Sequence, residues 1–310
     1  MSAKRFQNRV AESRMALPVT GLYAVVVCLC CGFWEQQMWL PMVLLALNSF
    51  LMLELNNSNA LIRVYSRMVS CSYIVLAVMA SFLLSSLRDG AFQMFFVTFF
   101  LLLFRAYQDK VAVGLVFYAF MMFGMASTLF VQLLYFLPVV WILLFTNIMA
   151  GSVRTFAASL LGLLMPYWCI GGYCLYTGDI DSLVARVSEL WQFAPLFDFE
   201  SLGLHRQLSF CIVTLIAIVG MVHFHRNSYK DKIRTRMLFE IFTTMYLCAL
   251  VFIVLQPQHF DFLFGMMLVC SSPLIGHFIS LTSTRLTNIA FIVFLLAVVG
   301  VTVFNMLWMY

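Results

Sequence analysis

Apolar runs of near-membrane-spanning length alternate along the whole chain with short polar joints. A transmembrane helix needs about 20 mostly apolar residues. The pattern predicts such helices near residues 15–34, 38–55, 68–87, 91–107, 111–130, 133–150, 155–176, 207–223, 237–255, 262–281 and 288–308. The expected fold class is all-α: a polytopic transmembrane helix bundle of about eleven helices, with residues 1–310 forming one integral membrane domain. Most joints are as short as Glu35-Gln36-Gln37 or Arg88-Asp89-Gly90, so neighbouring helices are expected to pair as antiparallel hairpins. The weakest crossing is the fourth. Its apolar core, Ala91–Phe104, has fourteen residues and reaches about 21 Å at helical rise, short of a hydrocarbon core near 30 Å.

Composition agrees with lipid as the main solvent. The chain is 64% hydrophobic and 10% charged, with a mean hydropathy of +0.99, where a soluble domain carries roughly 25% charged residues. The nine cysteines fall in apolar runs, which reads as Cys used as a small hydrophobe rather than as a disulfide framework. The basic N-terminus before the first apolar run has no small-residue cleavage site, so that run is expected to stay as the first helix.

Charge orients the bundle. The stretch His223–Arg236 holds Arg226, Lys230, Lys232, Arg234 and Arg236, five of the eighteen Lys and Arg residues. Short basic loops are retained on the cytoplasmic side. With the N-terminus cytoplasmic, Lys4, Arg5, Arg9, Arg14, Arg63, Arg67, Arg105, Lys110, Arg154 and Arg285 join them, and only Arg88, Arg186 and Arg206 lie outside. The five basic residues of the loop are expected to meet anionic lipid headgroups. Membrane lipids, and other envelope membrane proteins, are the expected partners; nucleic acid is not.

The long outer segment, residues 177–206, is expected to carry an amphipathic interfacial helix from Asp181 to about Gln192. Leu183, Val184, Val187, Leu190 and Trp191 form its apolar stripe, and Pro195 stops it. Charged groups in mid-membrane are nearly absent. Glu54 and Glu240 sit near inner helix ends, where pairing with Arg63, Arg67 or the basic loop is expected. Pro41, Pro138, Pro166 and Pro273 interrupt or start helices, and Gly162, Gly171, Gly172 and Gly276 permit close helix approach. No metal-ligand spacing, phosphate loop or nucleophile elbow occurs, so no metal or cofactor is expected.

Candidate catalytic residues collect on the outer side: Glu35, Asp89, Asp179, Asp181, Arg186, His205 and Arg206, and Arg88, His259 and Asp261 fall on the same side. A membrane transferase acting on lipid-linked sugars needs a carboxylate base and cations to hold a pyrophosphate leaving group. A late outer loop with Arg and His is similar to that of polysaccharide polymerases and ligases.

A second resemblance rests on Phe104-Arg105-Ala106-Tyr107, Gly124-Met125-Ala126-Ser127-Thr128-Leu129-Phe130, Tyr135-Phe136-Leu137-Pro138, Gly162-Leu163-Leu164-Met165-Pro166-Tyr167 and Ser272-Pro273-Leu274-Ile275-Gly276-His277-Phe278-Ile279-Ser280. These stretches resemble a family of uncharacterised polytopic inner-membrane proteins of Bacteroidota. The resemblance implies the inner membrane of a diderm bacterium and an envelope-related role. The leading expectation is a non-catalytic, accessory or assembly component of the cell envelope. The alternative is an outward-facing transferase on lipid-linked sugars, and a transporter comes third.

Overall fold

The computed structural model describes residues 5–309 except 179–180, 182–183, 186–187, 194 and 200–201. Among the described residues the chain is helical throughout, with no strand. In order the helices are α1 (Phe6–Glu12), α2 (Ala16–Cys30), α3 (Trp39–Asn59), α4 (Met68–Met79), α5 (Ser81–Leu84), α6 (Leu87–Arg105), α7 (Val113–Leu129), α8 (Leu137–Thr146), α9 (Val153–Thr177), α10 (Leu204–Asn227), α11 (Ile233–Leu255), α12 (Phe260–Leu281) and α13 (Arg285–Met309). Seven described helices are long and apolar enough to cross a bilayer, and α1 with α2, bent by 93°, adds up to one more. The chain is a multi-pass membrane protein. The 68–87 stretch is two helices broken at Ala80, and 133–150 is a 3-10 turn, Val131–Phe136, running into α8.

Two joints differ from expectation. Arg88, Asp89 and Gly90 form the first turn of α6, so that helix has 19 residues and reaches roughly 28 Å. The Ser86 hydroxyl accepts from the Asp89 amide at 3.3 Å. A polar cap plus an acid at the positive end of the helix lets helical backbone start four residues early. The basic stretch is also mostly helical. The α10 helix runs on to Asn227, Ser228–Lys230 is a 3-10 turn, and α11 starts at Ile233, with His225 and Arg226 placed where cations favour a helix C-terminus.

The centre of the bundle is α12. In the apolar stretch of Pro257–Leu281, 89% of residues are buried, against 28% in the stretches of α3, α9 and α13. Around it pack α4, α6, α10 and α11. The reason lies in aromatic stripes at helical spacing. Phe92, Phe96, Phe100 and Phe104 recur every four residues along α6 and are fully buried. Phe100 meets Phe242 of α11 with ring centroids 5.2 Å apart, and Phe92 meets Phe262 of α12 at 5.4 Å.

Glycines allow the closest crossings. A Cβ on Gly162 would stand 2.3 Å from the Phe117 carbonyl oxygen, and one on Gly124 would stand 2.7 Å from that of Leu163. The α7–α9 pair is thus locked from both sides. Gly276 does the same for α12 against α4, where a Cβ would come 2.9 Å from the Val69 nitrogen. Gly171 and Gly172, expected to act alike, face open space. Cys28, Cys31, Cys71, Cys174 and Cys270 are buried, while Cys30, Cys169 and Cys211 are exposed.

Several cations are paired with polar groups of other segments. Arg63 lies 3.9 Å from Asp231, Arg105 lies 4.0 Å from Glu54, and Arg234 donates to Asn59 at 2.9 Å. The partners of Glu54 and Glu240 differ from expectation: Glu54 meets Arg105, and Glu240 accepts from Asn147 at 2.8 Å. Of the amphipathic outer helix, Leu183, Arg186 and Val187 lie outside the described residues. Its later part, Glu189–Trp191, is a 3-10 turn tied to the bundle by Gln132 donating to the Glu189 carbonyl at 3.2 Å.

Candidate functional site: two charge clusters on the central helix

Sixteen residues separate Asp261 from His277, so α12 carries the two side chains roughly 24 Å apart along its axis. Each anchors a polar cluster. At the first, three helix N-termini converge. Asp89 comes from the first turn of α6, His205 and Arg206 from that of α10, and Asp261 from that of α12. Acids are favoured in such first turns by the exposed N–H groups, and the cation there is held by its partner. Arg206 donates to Asp261 Oδ2 at 3.0 Å. Its guanidinium also lies over the Phe82 ring, 5.6 Å from the centroid. The His205 ring stacks on Trp308 at 5.5 Å and meets Phe82 edge-on at 5.6 Å. Asp89, 5% exposed, lies within electrostatic reach of Asp261, Arg206 and Arg88. Asp261 Oδ1, Arg206 Nε and His205 Nδ1 are buried without a hydrogen-bond partner. A carboxylate beside a guanidinium has the parts of a base and an anion holder.

The structure thus brings Asp89, His205, Arg206 and Asp261 together. It does not bring in Glu35, which stands exposed in the turn between α2 and α3. Asp181 is exposed in helical backbone, and Asp179 and Arg186 lie outside the described residues. Among the expected headgroup ligands, Arg226, Lys230 and Lys232 are exposed while Arg234 and Arg236 are half-buried. Arg234 is already engaged, donating to Asn59 and to the Phe104 carbonyl and lying over the Tyr107 ring.

The second cluster was not anticipated. His277 Nε2 is 3.0 Å from Asp231 Oδ2, with the side chains 1% and 4% exposed. Arg63 approaches the other carboxylate oxygen, and the His223 ring sits 5.5 Å from that of His277. Phe224 and Phe239 pack edge-on against the same imidazole. Both Nδ1 atoms, of His223 and His277, are buried without a partner. A lone acid inside a run of cations, and a histidine inside an apolar span, are the signals that could have found it. Next to it, the end of α10 borders a cavity of about 550 Å³ lined by Val222, His223, Arg226, Asn227 and Tyr229 among others.

The buried amides Asn48 and Asn147 are tied to neighbouring helices. Asn48 donates to the Gly90 carbonyl at 3.0 Å and Asn147 to Glu240. Neither amide lines any of the three principal cavities. Among the described residues no three His, Cys, Asp or Glu side chains are placed to hold a metal ion. Set against protein families, curated proteins and solved structures, the chain has no significant match in any of the three.

Proposed function

We propose that this chain is a bacterial inner-membrane protein of eleven crossings with a cytoplasmic N-terminus, and that it serves as a non-catalytic assembly or accessory component of the cell envelope. The crossing number is supported by a helix in each of the eleven apolar stretches, and the orientation by the charge bias. The short, broken α4 is buried almost throughout, the condition under which irregular backbone is tolerated at membrane depth. The inner-membrane placement rests on the resemblance.

One observation carries the accessory role. Beyond Pro166, α9 leaves Trp168, Tyr173, Leu175 and Tyr176 between 68% and 91% exposed, and Gly171 and Gly172 open to empty space. Small residues beside exposed aromatics on a membrane span are what a helix of another membrane protein packs against. The test is the mass of the particle extracted from native membranes in mild detergent. The expected result is a complex heavier than the 35.5 kDa chain that Gly172→Ile reduces to the single chain. A single chain from both would refute the role.

A second reading, the outward-facing transferase on lipid-linked groups, is favoured by the convergence of Asp89, His205, Arg206 and Asp261. Asp261→Asn keeps the side-chain shape and removes the charge. Complete loss of envelope function with normal protein level supports catalysis, and full function speaks against it.

A further inference from the structure

The cavity farthest from both charge clusters in character lies between α1, α2, α4, α10, α12 and α13. It measures about 280 Å³, and apolar side chains such as Val75, Leu76, Ile216, Ile275 and Val298 make nearly all of its wall. Of its few polar members, Thr20 donates its hydroxyl to the Leu17 carbonyl at 3.0 Å, and Ser72 Oγ is buried without a hydrogen-bond partner. One unpartnered hydroxyl in an otherwise apolar wall does not hold an ordered water, which needs two to four polar partners. An engineered apolar cavity of about 150 Å³ stays dry and takes an apolar molecule, and ligand sites begin at about 300 Å³. Left empty, the lining would forfeit its dispersion contacts.

The geometry of its mouth says where an occupant comes from. Helices α2 and α13 are joined at one level by Tyr23 donating to Thr302 at 2.9 Å. About one turn from Tyr23 and two from Thr302, Val19 of α2 and Leu295 of α13 line the cavity and are 60% and 43% exposed. The far end is closed by α1, whose Phe6 ring approaches that of Phe291 at 6.0 Å. A slot between two apolar helix faces opens sideways into the bilayer, not to water. The helix α1 is fixed as the end-piece: buried Gln7 donates to the Ile279 carbonyl at 2.9 Å, and its backbone amide donates to Asn288 at 3.0 Å. At this end stand cations. Arg67 precedes the lining residue Met68 and is within electrostatic reach of the Cys71 thiol, and Arg9 and Arg14 lie exposed on α1 and in its joint to α2.

We infer that this slot is a binding site for one acyl chain of an anionic phospholipid, the chain entering between α2 and α13 and the headgroup resting by Arg67. A linear alkyl chain matches the dry apolar wall and the lateral mouth, and an anionic head matches the cationic end.

The test uses the full-length protein in liposomes with trace phosphatidylglycerol or phosphatidylcholine carrying a photoactivatable diazirine midway along one chain. Peptides are mapped after illumination. The expected result is labelling of Val75, Leu76 and Val298 well above that of Leu161 and Leu164, which are exposed on α9. Phosphatidylglycerol should exceed phosphatidylcholine by about fivefold, the effect of one basic side chain at the headgroup. Val19→Trp plugs the mouth and should abolish labelling of the cavity wall while leaving Leu161 and Leu164 labelled; Leu295→Trp on the opposite lip repeats the test where Val19→Trp does not fold. Cavity labelling no higher than at Leu161, or unchanged in the plugged variant, overturns the site. Equal labelling by the two lipids overturns the anionic headgroup.

Discussion

Nε2 of His277 lies 3.0 Å from Oδ2 of Asp231 across a sequence separation of 46 residues. The contact pins the joint between α10 and α11 to the most deeply buried helix of the bundle. A buried imidazole and carboxylate stabilise a structure as a pair, while removing either member strands the other without water.

Asp231→Ala is therefore expected to cost about 3 kcal/mol, as for breaking a buried pair. Asp231→Asn, which keeps an oxygen acceptor for the imidazole, should cost clearly less. Unfolding of the purified protein in detergent measures both, and equal losses would mean that the hydrogen bond contributes little.

Glycine positions divide by what a methyl group would meet. Gly162→Ala and Gly124→Ala push a Cβ into backbone carbonyls of the facing helix and should each destabilise by about 1–3 kcal/mol through overpacking. Gly171→Ala meets nothing within 4 Å and should be neutral or stabilising by up to about 1 kcal/mol from helix propensity. Melting temperatures of the three variants check the order.

The Arg206–Asp261 pair is about one-third exposed on each side, so solvent weakens it. Each single alanine variant should cost about 1 kcal/mol or less, and the double variant no more than the larger single one. Additive losses in a double-mutant cycle would show that each group works alone.

Phe100 is fully buried and meets Phe96, Phe104 and Phe242 at centroid distances of 4.8–5.5 Å. Phe100→Ala should cost about 3–5 kcal/mol, whereas Phe100→Leu, which keeps most of the volume, should cost about half as much. Denaturant titration distinguishes the two.

The proposed orientation predicts opposite accessibilities. In a cysteine-free background, Lys230→Cys should react with a membrane-impermeant maleimide only after the inner membrane is opened. Ser188→Cys should react from the periplasm. Both positions are exposed, so the reverse result would invert the map.

Much of the bundle was legible in the linear pattern. Each expected apolar stretch coincides with helix because hydropathy alone decides which residues leave water, and a backbone in lipid must bond to itself. The errors fall at joints. Asp89 reads as a loop residue, yet a Ser86 cap and the dipole of α6 draw it into the helix, a local effect that hydropathy does not register. The candidate site was legible only in part. Asp89, His205, Arg206 and Asp261 could be named by residue type and side, but they meet only because α6, α10 and α12 begin at the same end of the bundle. Glu35, alike in type, is left outside.

By itself the sequence determined that this is a multi-pass membrane protein with its cations concentrated in a few joints, since those properties sum over residues one at a time. Only the tertiary structure decided that α12 is the centre, that Asp231 reaches His277, that Gly162 rather than Gly171 meets a neighbour, and that a dry slot opens between α2 and α13. Those depend on which helix faces which. Between equally apolar helices, that choice is made by the fit of phenylalanines and glycines to one another, a pairwise property that no single-residue scale contains.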